Sequence, residues 1–243
     1  MEKNMQYYVK ISNEVMLKNV HRRKALTKDL VEKYLSSGKY NICIVASGSS
    51  LNAALTAEMF MNKYLGAKVT IISPTEYMYY RKALVKDDFI IVISQSGCST
   101  NIIEAVLDMK QDGIVPMALT GDMEGSLKRY VDTLIEYGVG NETVEYVTLG
   151  MITLVEYLIL FALEVSLSRK VISEGEYKKI VEDMILCCGA NKEAYDKSVV
   201  FTQKYYKELF QMDRAIIVAD GANMGIAREA SLKFGETLKI PVL

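Results

Sequence analysis

Short apolar runs alternate with helix-length segments through most of the chain. Residues 42–46, 69–72 and 89–93 are apolar at almost every position and lack the polar–apolar alternation of a half-buried strand. Such runs are typical of strands buried on both faces, as in parallel sheets covered by helices. With two further strands predicted at residues 115–120 and 131–135, the pattern predicts an α/β fold built on a three-layer, doubly wound parallel sheet.

Apolar side chains at near-helical spacing fill the segments around these strands. Gly38, Gly66 and Gly113 each follow such a segment, at the position where a left-handed residue often ends a helix. The helical segments predicted from this spacing are residues 2–37, 51–65, 76–80, 101–112, 142–168 and 174–209.

A second copy of the first strand–helix unit begins near the end of the chain. Val45-Ala46-Ser47-Gly48 aligns with Val218-Ala219-Asp220-Gly221, and at the same spacing Val69 aligns with Val242. A strand is therefore predicted at residues 215–219, and the chain is predicted to contain a duplication. The predicted organisation is N-terminal helices (1–37), a first α/β domain (38–170), a helical connection (171–210) and the start of a second, apparently truncated α/β domain (211–243).

The charge balance and the single histidine argue against several classes of function. The 29 basic and 30 acidic side chains give a net charge of −1, without a basic stripe, which disfavours a nucleic-acid partner. His21 is the only histidine, so neither a multi-histidine metal site nor a Ser/His/Asp triad is expected. The four cysteines have no CxxC spacing and are typical of reduced cytosolic thiols.

Two features bear on localisation. The N-terminus has no apolar region of the kind that signal peptides carry, so export is not predicted. The longest apolar stretch, residues 146–167, is interrupted by Glu156 and Glu164, which are costly inside a bilayer. The sequence therefore predicts a buried helix in a cytoplasmic protein without membrane contact.

Two serine-rich loops come directly after buried strands and directly before helices. They are Ser47-Gly48-Ser49-Ser50 and Ser94-Gln95-Ser96-Gly97-Cys98-Ser99-Thr100. Open α/β sheets bind ligands at the carboxyl ends of their strands, and helix N-termini attract anions, so these loops predict a site for a phosphate or sugar hydroxyls. N-capping is the alternative, although it needs only one serine per helix. Neither a GxGxxG dinucleotide loop nor a P-loop is present.

These loops and a third segment together resemble sugar isomerase (SIS) domain proteins. The third segment is Ala230-Ser231-Leu232-Lys233-Phe234-Gly235-Glu236, and the similarity runs from about residue 20 to the end of the chain. Closest in kind are the isomerase half of glucosamine-fructose-6-phosphate aminotransferase and stand-alone phosphosugar isomerases, deaminases and fructosamine-6-phosphate deglycases. The resemblance implies two flavodoxin-like SIS domains.

The resemblance also implies roles for individual residues. Glu236 looks like the general base that moves a proton between C1 and C2 of the open-chain sugar, and Lys233 matches a lysine close to that centre. From the residues alone, both are more simply solvated charges on a helix. No metal or organic cofactor is implied. The residues that look like ligands of the phosphate and hydroxyls of a hexose 6-phosphate are Ser49, Ser50, Ser94, Gln95, Ser96 and Ser99.

The sequence departs from the family in ways that bear on turnover. The family's ring-opening histidine and C-terminal lysine would lie beyond Leu243, and His21 is in the wrong place to substitute. The family's Ser-Thr-Lys segment reads Val147-Thr148-Leu149 here, so its lysine is missing too. No N-terminal nucleophilic cysteine is present, so glutamine-dependent amination is not supported.

The activity that the resemblance implies is aldose–ketose isomerisation, deamination or deglycation of a 6-phosphorylated amino or keto hexose. A sugar-phosphate sensor without catalysis and a truncated remnant that assembles with a longer partner are the alternatives. Family members pair through apolar helices, and residues 154–163 are apolar nearly all round, so a homodimer is also predicted.

Overall fold

Five parallel strands form one sheet in the order β2-β1-β3-β4-β5. The computed structural model describes residues 3–140 and 142–242, so the first residue of the predicted segment 2–37 and the last of 211–243 lie outside the described residues. The strands are β1 (Ile42–Val45), β2 (Val69–Ile72), β3 (Phe89–Ser94), β4 (Met117–Thr120) and β5 (Leu134–Glu136). The predicted α/β fold with a doubly wound parallel sheet is confirmed.

Helices precede, connect and follow these strands. Gly66 ends one of them in the left-handed conformation, with φ 62°. The α-helices are α1 (Met5–His21), α2 (Arg23–Ser36), α3 (Gly48–Leu65), α4 (Pro74–Glu76), α5 (Lys82–Val85), α6 (Thr100–Gln111), α7 (Leu149–Ser168), α8 (Glu174–Lys204), α9 (Tyr206–Phe210) and α10 (Asn223–Lys233). A π-helical turn, Tyr77–Arg81, joins α4 to α5, a second one, Phe234–Leu238, continues α10, and a 3₁₀ turn, Ser126–Arg129, precedes β5.

Each strand contributes side chains to both faces of the sheet. In β1, Ile42 and Ile44 belong to the core formed with α3 and α7, whereas Cys43 and Val45 belong to the core on the opposite face, with α6. All four side chains are fully buried. A continuous apolar run is needed for burial on both faces, and this explains why the strands lack alternation.

The apolar helix α7 is covered by other parts of the same chain. Leu154, Leu158 and Phe161 are at most 1% exposed and pack in the core with α1, α2 and α3. By length and hydropathy alone α7 could cross a membrane, yet 72% of its most apolar window is buried inside the protein. Because its apolar surface is used within one chain, it gives no support for the predicted homodimer.

Helix α7 begins later than the sequence predicts. The expected helix 142–168 starts at Leu149, and residues 142–148 form a loop. The carboxylate of Glu142 accepts hydrogen bonds from the backbone N–H groups of Thr148 (2.8 Å) and Leu149 (2.7 Å). Glu142 therefore caps this helix instead of belonging to it.

The end of the chain forms one parallel bridge at the positions that the predicted duplication aligns with β1 and β2. Ala215 forms a parallel bridge with Val242, the counterpart of the pairing between Ile42 and Val69 in the first unit. The predicted strand 215–219 is reduced to this single bridge, and the side chain of Val218 is 89% exposed. Strand β1 is paired with a strand on each side, whereas here no further strand is paired among the described residues.

Candidate functional site

A cavity of about 530 Å³ lies at the carboxyl ends of β1, β3 and β4. We refer to it as the carboxyl-edge cavity. Its volume is within the usual range for small-molecule sites, and its position is where open α/β sheets bind ligands. The described residues that line it are Ser47, Ser49, Ser50, Gln95, Ser96, Ser99, Gly121, Asp122, Glu142, Val144, Glu145 and Val147.

The loop after β1 brings the N-terminus of α3 to the cavity wall. Ser47 is the N-cap residue of α3, but its side chain makes no capping hydrogen bond. Ser49 and Ser50, in the first turn, line the cavity and are each 8% exposed. The hydroxyls and the first-turn N–H groups are thus placed where an anion would be stabilised.

The loop after β3 brings the N-terminus of α6 to the cavity. Ser99 is the N-cap residue of α6, and its side chain makes no capping hydrogen bond either. The hydroxyl of Ser94 donates to Ser99 Oγ (2.9 Å) and accepts from the Ser99 N–H (3.3 Å). Ser94 is only 2% exposed and is not part of the lining, so it positions Ser99 from below. N-capping therefore does not account for Ser47 and Ser99.

Two glycines let the loops after β3 and β4 touch. Gly97 has φ +64°, and a Cβ at this position would lie 2.9 Å from the carbonyl oxygen of Asp122 and 3.0 Å from Gly125 Cα. Gly121 donates its N–H to the Gln95 carbonyl (2.9 Å), which ties the two loops together. The position of Ser96 and Ser99 in the cavity therefore depends on a residue without a side chain at 97.

We expect Gly97→Ala to destabilise the protein by about 2 to 4 kcal/mol, because left-handed strain adds to displacement of neighbouring backbone. Gly113→Ala is the matched control. Gly113 also has a positive φ, +74°, but a Cβ there meets nothing within 4 Å. Denaturant unfolding should give a cost of about 1 kcal/mol for the control. Equal losses for the two variants would contradict the packing argument.

Glu142 links the cavity to the N-terminus of α7. One carboxylate oxygen accepts from the N–H groups of Thr148 and Leu149, and the other accepts from the N–H of Gly150 (2.9 Å) and from Gln95 Nε2 (3.3 Å). Four donors therefore meet a single carboxylate at this wall.

The cavity lining also contains acidic side chains. Asp122, Glu142 and Glu145 line the cavity, and none of the described lining residues is lysine or arginine. Tyr137 is fully buried, and its burial raises the pKa of the phenol, which Glu142 and Glu136 raise further. Tyr137 therefore stays neutral. An anionic group of a ligand is favoured at the serine side and disfavoured at the acidic side.

Lys233 and Glu236 lie outside the lining of the cavity. Lys233 Nζ is 2.7 Å from Glu236 Oε2 and 3.4 Å from Glu229 Oε1, and Asn52 of α3 donates to the other oxygen of Glu229 (2.9 Å). This pairing holds α10 against α3, whose first turn lines the cavity. The two side chains are engaged with each other, and the catalytic roles expected for Lys233 and Glu236 stay predictions.

The C-terminal π-helical turn nevertheless ends close to the cavity. Lys239 Nζ lies 5.6 Å from the ring centroid of Tyr146. Tyr146 sits between Glu145 and Val147, which both line the cavity. The segment that carries Glu236 therefore contacts the loop that forms the acidic wall.

The structure brings five of the six predicted binding residues to one cavity. Ser49, Ser50, Gln95, Ser96 and Ser99 line it, whereas Ser94 lies beneath Ser99. The acidic residues were not among those predicted from the sequence. Asp122 lies two residues after β4, at the edge where ligands are expected. No local pattern marks Glu142 or Glu145, because the path of their loop brings them to the cavity.

Fold and cavity together define an α/β protein with a serine-lined cavity at the carboxyl edge of a parallel sheet. The SIS domain family model matches residues 34–169, more than half of the chain. The chain belongs to the SIS domain family, as its resemblance in sequence predicted.

Named proteins are similar to this chain in sequence. Glutamine–fructose-6-phosphate aminotransferase (isomerizing) of Clostridium tetani is 23% identical over 238 residues, which cover 91% of this chain and 39% of that protein. The chain thus spans about two fifths of the length of this curated relative.

Solved structures are also similar. A candidate phosphosugar isomerase from Clostridium difficile gives a TM-score of 0.88 at 19% identity, covering 99% of this chain and 68% of that one. The C-terminal domain of glucosamine-fructose-6-phosphate aminotransferase from Francisella tularensis gives 0.83 at 22% identity, covering 98% and 68%. At these identities the likeness establishes the fold.

Proposed function

We propose that this chain binds a hexose 6-phosphate in the carboxyl-edge cavity and, as an enzyme, catalyses its aldose–ketose isomerisation, deamination or deglycation in the cytoplasm. The family and the names of its relatives support a sugar-phosphate ligand. The observation that carries the proposal is the pair of helix N-termini, of α3 and α6, whose serines line one wall of a cavity of suitable volume.

The two walls of the cavity suit the two ends of such a ligand. The phosphate lies against the serines, where hydroxyls and N–H groups donate to it without a lysine or arginine. The sugar hydroxyls lie toward the amide oxygen of Gln95 and the carboxylate of Asp122, which accept hydrogen bonds from them. Turnover then requires a general base near C1 and C2, the role that we propose for Glu236, with Lys233 nearby.

A sugar-phosphate sensor without catalysis is the second candidate function. The observation that favours it is the position of Lys233 and Glu236, which pair with each other and do not line the cavity. The two functions share the ligand site and differ in what happens after binding.

Calorimetry combined with a turnover assay separates these functions. The purified chain is titrated with fructose 6-phosphate, glucosamine 6-phosphate and a fructosamine 6-phosphate, and product formation is followed for each. Binding with turnover supports the enzyme, and binding without turnover supports the sensor. Failure of all three compounds to bind contradicts the proposed function.

We expect Ser99→Ala to weaken binding of fructose 6-phosphate by about 10- to 100-fold, the cost of a hydrogen bond to a charged group. Ser198→Ala is the control, because this serine lies in α8 and, among the contacts described, its hydroxyl donates only to the backbone carbonyl of Tyr195. Calorimetric titration of both variants gives the comparison. Unchanged affinity in Ser99→Ala would place the phosphate elsewhere.

A further inference from the structure

Three helices begin at the carboxyl-edge cavity, and they differ in what meets their N-termini. The N-termini of α3 and α6 are flanked by serines whose side chains make no capping hydrogen bond. At α7 the carboxylate of Glu142 accepts from three consecutive backbone N–H groups, those of Thr148, Leu149 and Gly150. The anion-binding position of α7 is therefore already filled by a side chain of the protein itself.

The geometry leaves no room for a second anion there. The four donor–acceptor distances at Glu142 lie between 2.7 and 3.3 Å, and they use both carboxylate oxygens. A Cβ on Gly150 would lie 3.0 Å from Glu142 Oε2 and 2.8 Å from Gln95 Cγ, so the three residues are closely packed. Asp122 and Glu145 add negative charge along the same wall.

We propose that Glu142 is a specificity-determining residue: its carboxylate fills the anion-binding position of α7 and excludes ligands that carry an acidic group opposite the phosphate. The cavity then accepts a phosphorylated sugar whose other end is neutral or cationic, and rejects a phosphorylated sugar acid. This inference rests on the proposed function, because it assumes that the phosphate lies at α3 and α6.

Glu142 also positions Gln95. The Gln95 side chain donates from Nε2 to Glu142, and its amide oxygen, which has no hydrogen bond among the contacts described, is available to accept from a ligand hydroxyl. The contact between Glu142 and Gln95 therefore has two effects: it presents an acceptor to a neutral sugar end, and its carboxylate repels an acidic sugar end. Discrimination comes from an attractive and a repulsive element together.

The first test compares fructose 6-phosphate with 6-phosphogluconate by calorimetry. We expect the wild-type protein to bind fructose 6-phosphate at least about 100-fold more tightly, and Glu142→Gln or Glu142→Ala to reduce this ratio at least about tenfold by gaining affinity for the sugar acid. Glu145→Gln is the control. Glu145 also lines the cavity but accepts none of the hydrogen bonds described at the N-terminus of α7, so this variant should retain most of the ratio. A ratio unchanged by both substitutions of Glu142 overturns the inference.

The second test does not depend on the sugar. In Glu142→Ala the three N–H groups at α7 lose their acceptor, so formate should raise the melting temperature of this variant more than that of the wild-type protein or Glu145→Ala. An equal shift in all three proteins overturns the claim that Glu142 fills an anion position. If fructose 6-phosphate does not bind the wild-type protein, the proposed function fails while the formate comparison still decides this claim. If Glu142→Ala does not fold, the ratio measured for Glu142→Gln decides it.

Discussion

Glu236→Gln is expected to lower turnover of a hexose 6-phosphate by about 10²- to 10⁴-fold, the usual contribution of a general base. Glutamine keeps the size and one acceptor oxygen of the side chain but does not take up a proton from carbon. Binding of the same compound should change little, because the contacts proposed for its phosphate and hydroxyls are made by the residues that line the carboxyl-edge cavity. Steady-state turnover and calorimetric titration of the same variant measure the two effects.

Glu32→Gln is the control for this prediction. Glu32 lies in α2, its side chain is 66% exposed, and its ion pair with Lys28 is long at 3.9 Å. Turnover should be unchanged in this variant. An active wild-type protein whose turnover survives Glu236→Gln would assign the base to another residue, and the acidic wall of the cavity would then supply the next candidates.

The prediction also bears on how the C-terminal segment works. Glu236 is paired with Lys233 at 2.7 Å, in a π-helical turn that continues α10. A catalytic Glu236 must exchange this partner for the substrate. Because α10 is held to α3 through Glu229 and Asn52, movement of the turn alone is the simpler route.

The sheet could be predicted from the sequence because each strand is buried on both faces. Residues 69–72 and 89–94 are strands in the structure at the predicted positions, to within one residue. The helix before the second predicted strand ends at Gly66, as the glycine indicates. These signals are local, so the sequence contains them in full.

The acidic wall could not be predicted in the same way. Helix periodicity extends the apolar stretch of α7 back to residue 142, but tertiary contacts decide where the helix starts. Glu142 reaches the N–H groups of residues that follow it by six to eight positions, and Tyr8 of α1 holds Thr143 through its hydroxyl (2.9 Å to the N–H). A contact made between α1 and this loop has no counterpart in a local sequence pattern.

Glu156→Gln is expected to stabilise the protein at pH 7 and above, although it removes a charge that is hydrogen-bonded. Glu156 is 4% exposed within α7, and burial raises the pKa of its carboxyl to about 8, against the opposing effects of Asn19 and Arg22. One oxygen accepts from Asn19 Nδ2 (3.1 Å), and the other has no hydrogen-bond partner among the described residues. Glutamine reproduces the protonated acid without its cost of ionisation.

The sign of the pH dependence follows from this raised pKa. The unfolded chain has a carboxyl pKa of about 4.5, so below pH 4.5 Glu156 is protonated in both states and costs nothing. Between pH 4.5 and about 8 the folded state progressively loses the stability that the protonated form provided, and above about pH 9 the loss is complete. A pKa displaced from 4.5 to about 8 corresponds to about 3 kcal/mol at pH 7 and about 5 kcal/mol above pH 9. The free energy of unfolding of Glu156→Gln, relative to that of the wild-type protein, should rise by these amounts between pH 4.5 and 9. Denaturant unfolding at a series of pH values measures it.

Glu164→Gln is the matched contrast, because it changes the same residue type in the same helix with the opposite expected sign. Glu164 accepts from the Tyr177 hydroxyl and lies 3.5 Å from Arg23 Nε, so its charge has partners. Removing that charge leaves the partly buried guanidinium of Arg23 without a counter-ion and should cost about 1 to 3 kcal/mol at pH 7. If both substitutions destabilise the protein at pH 8, Glu156 must be stabilised as a carboxylate by the groups around it, namely Asn19 and Arg22, more strongly than burial opposes its charge.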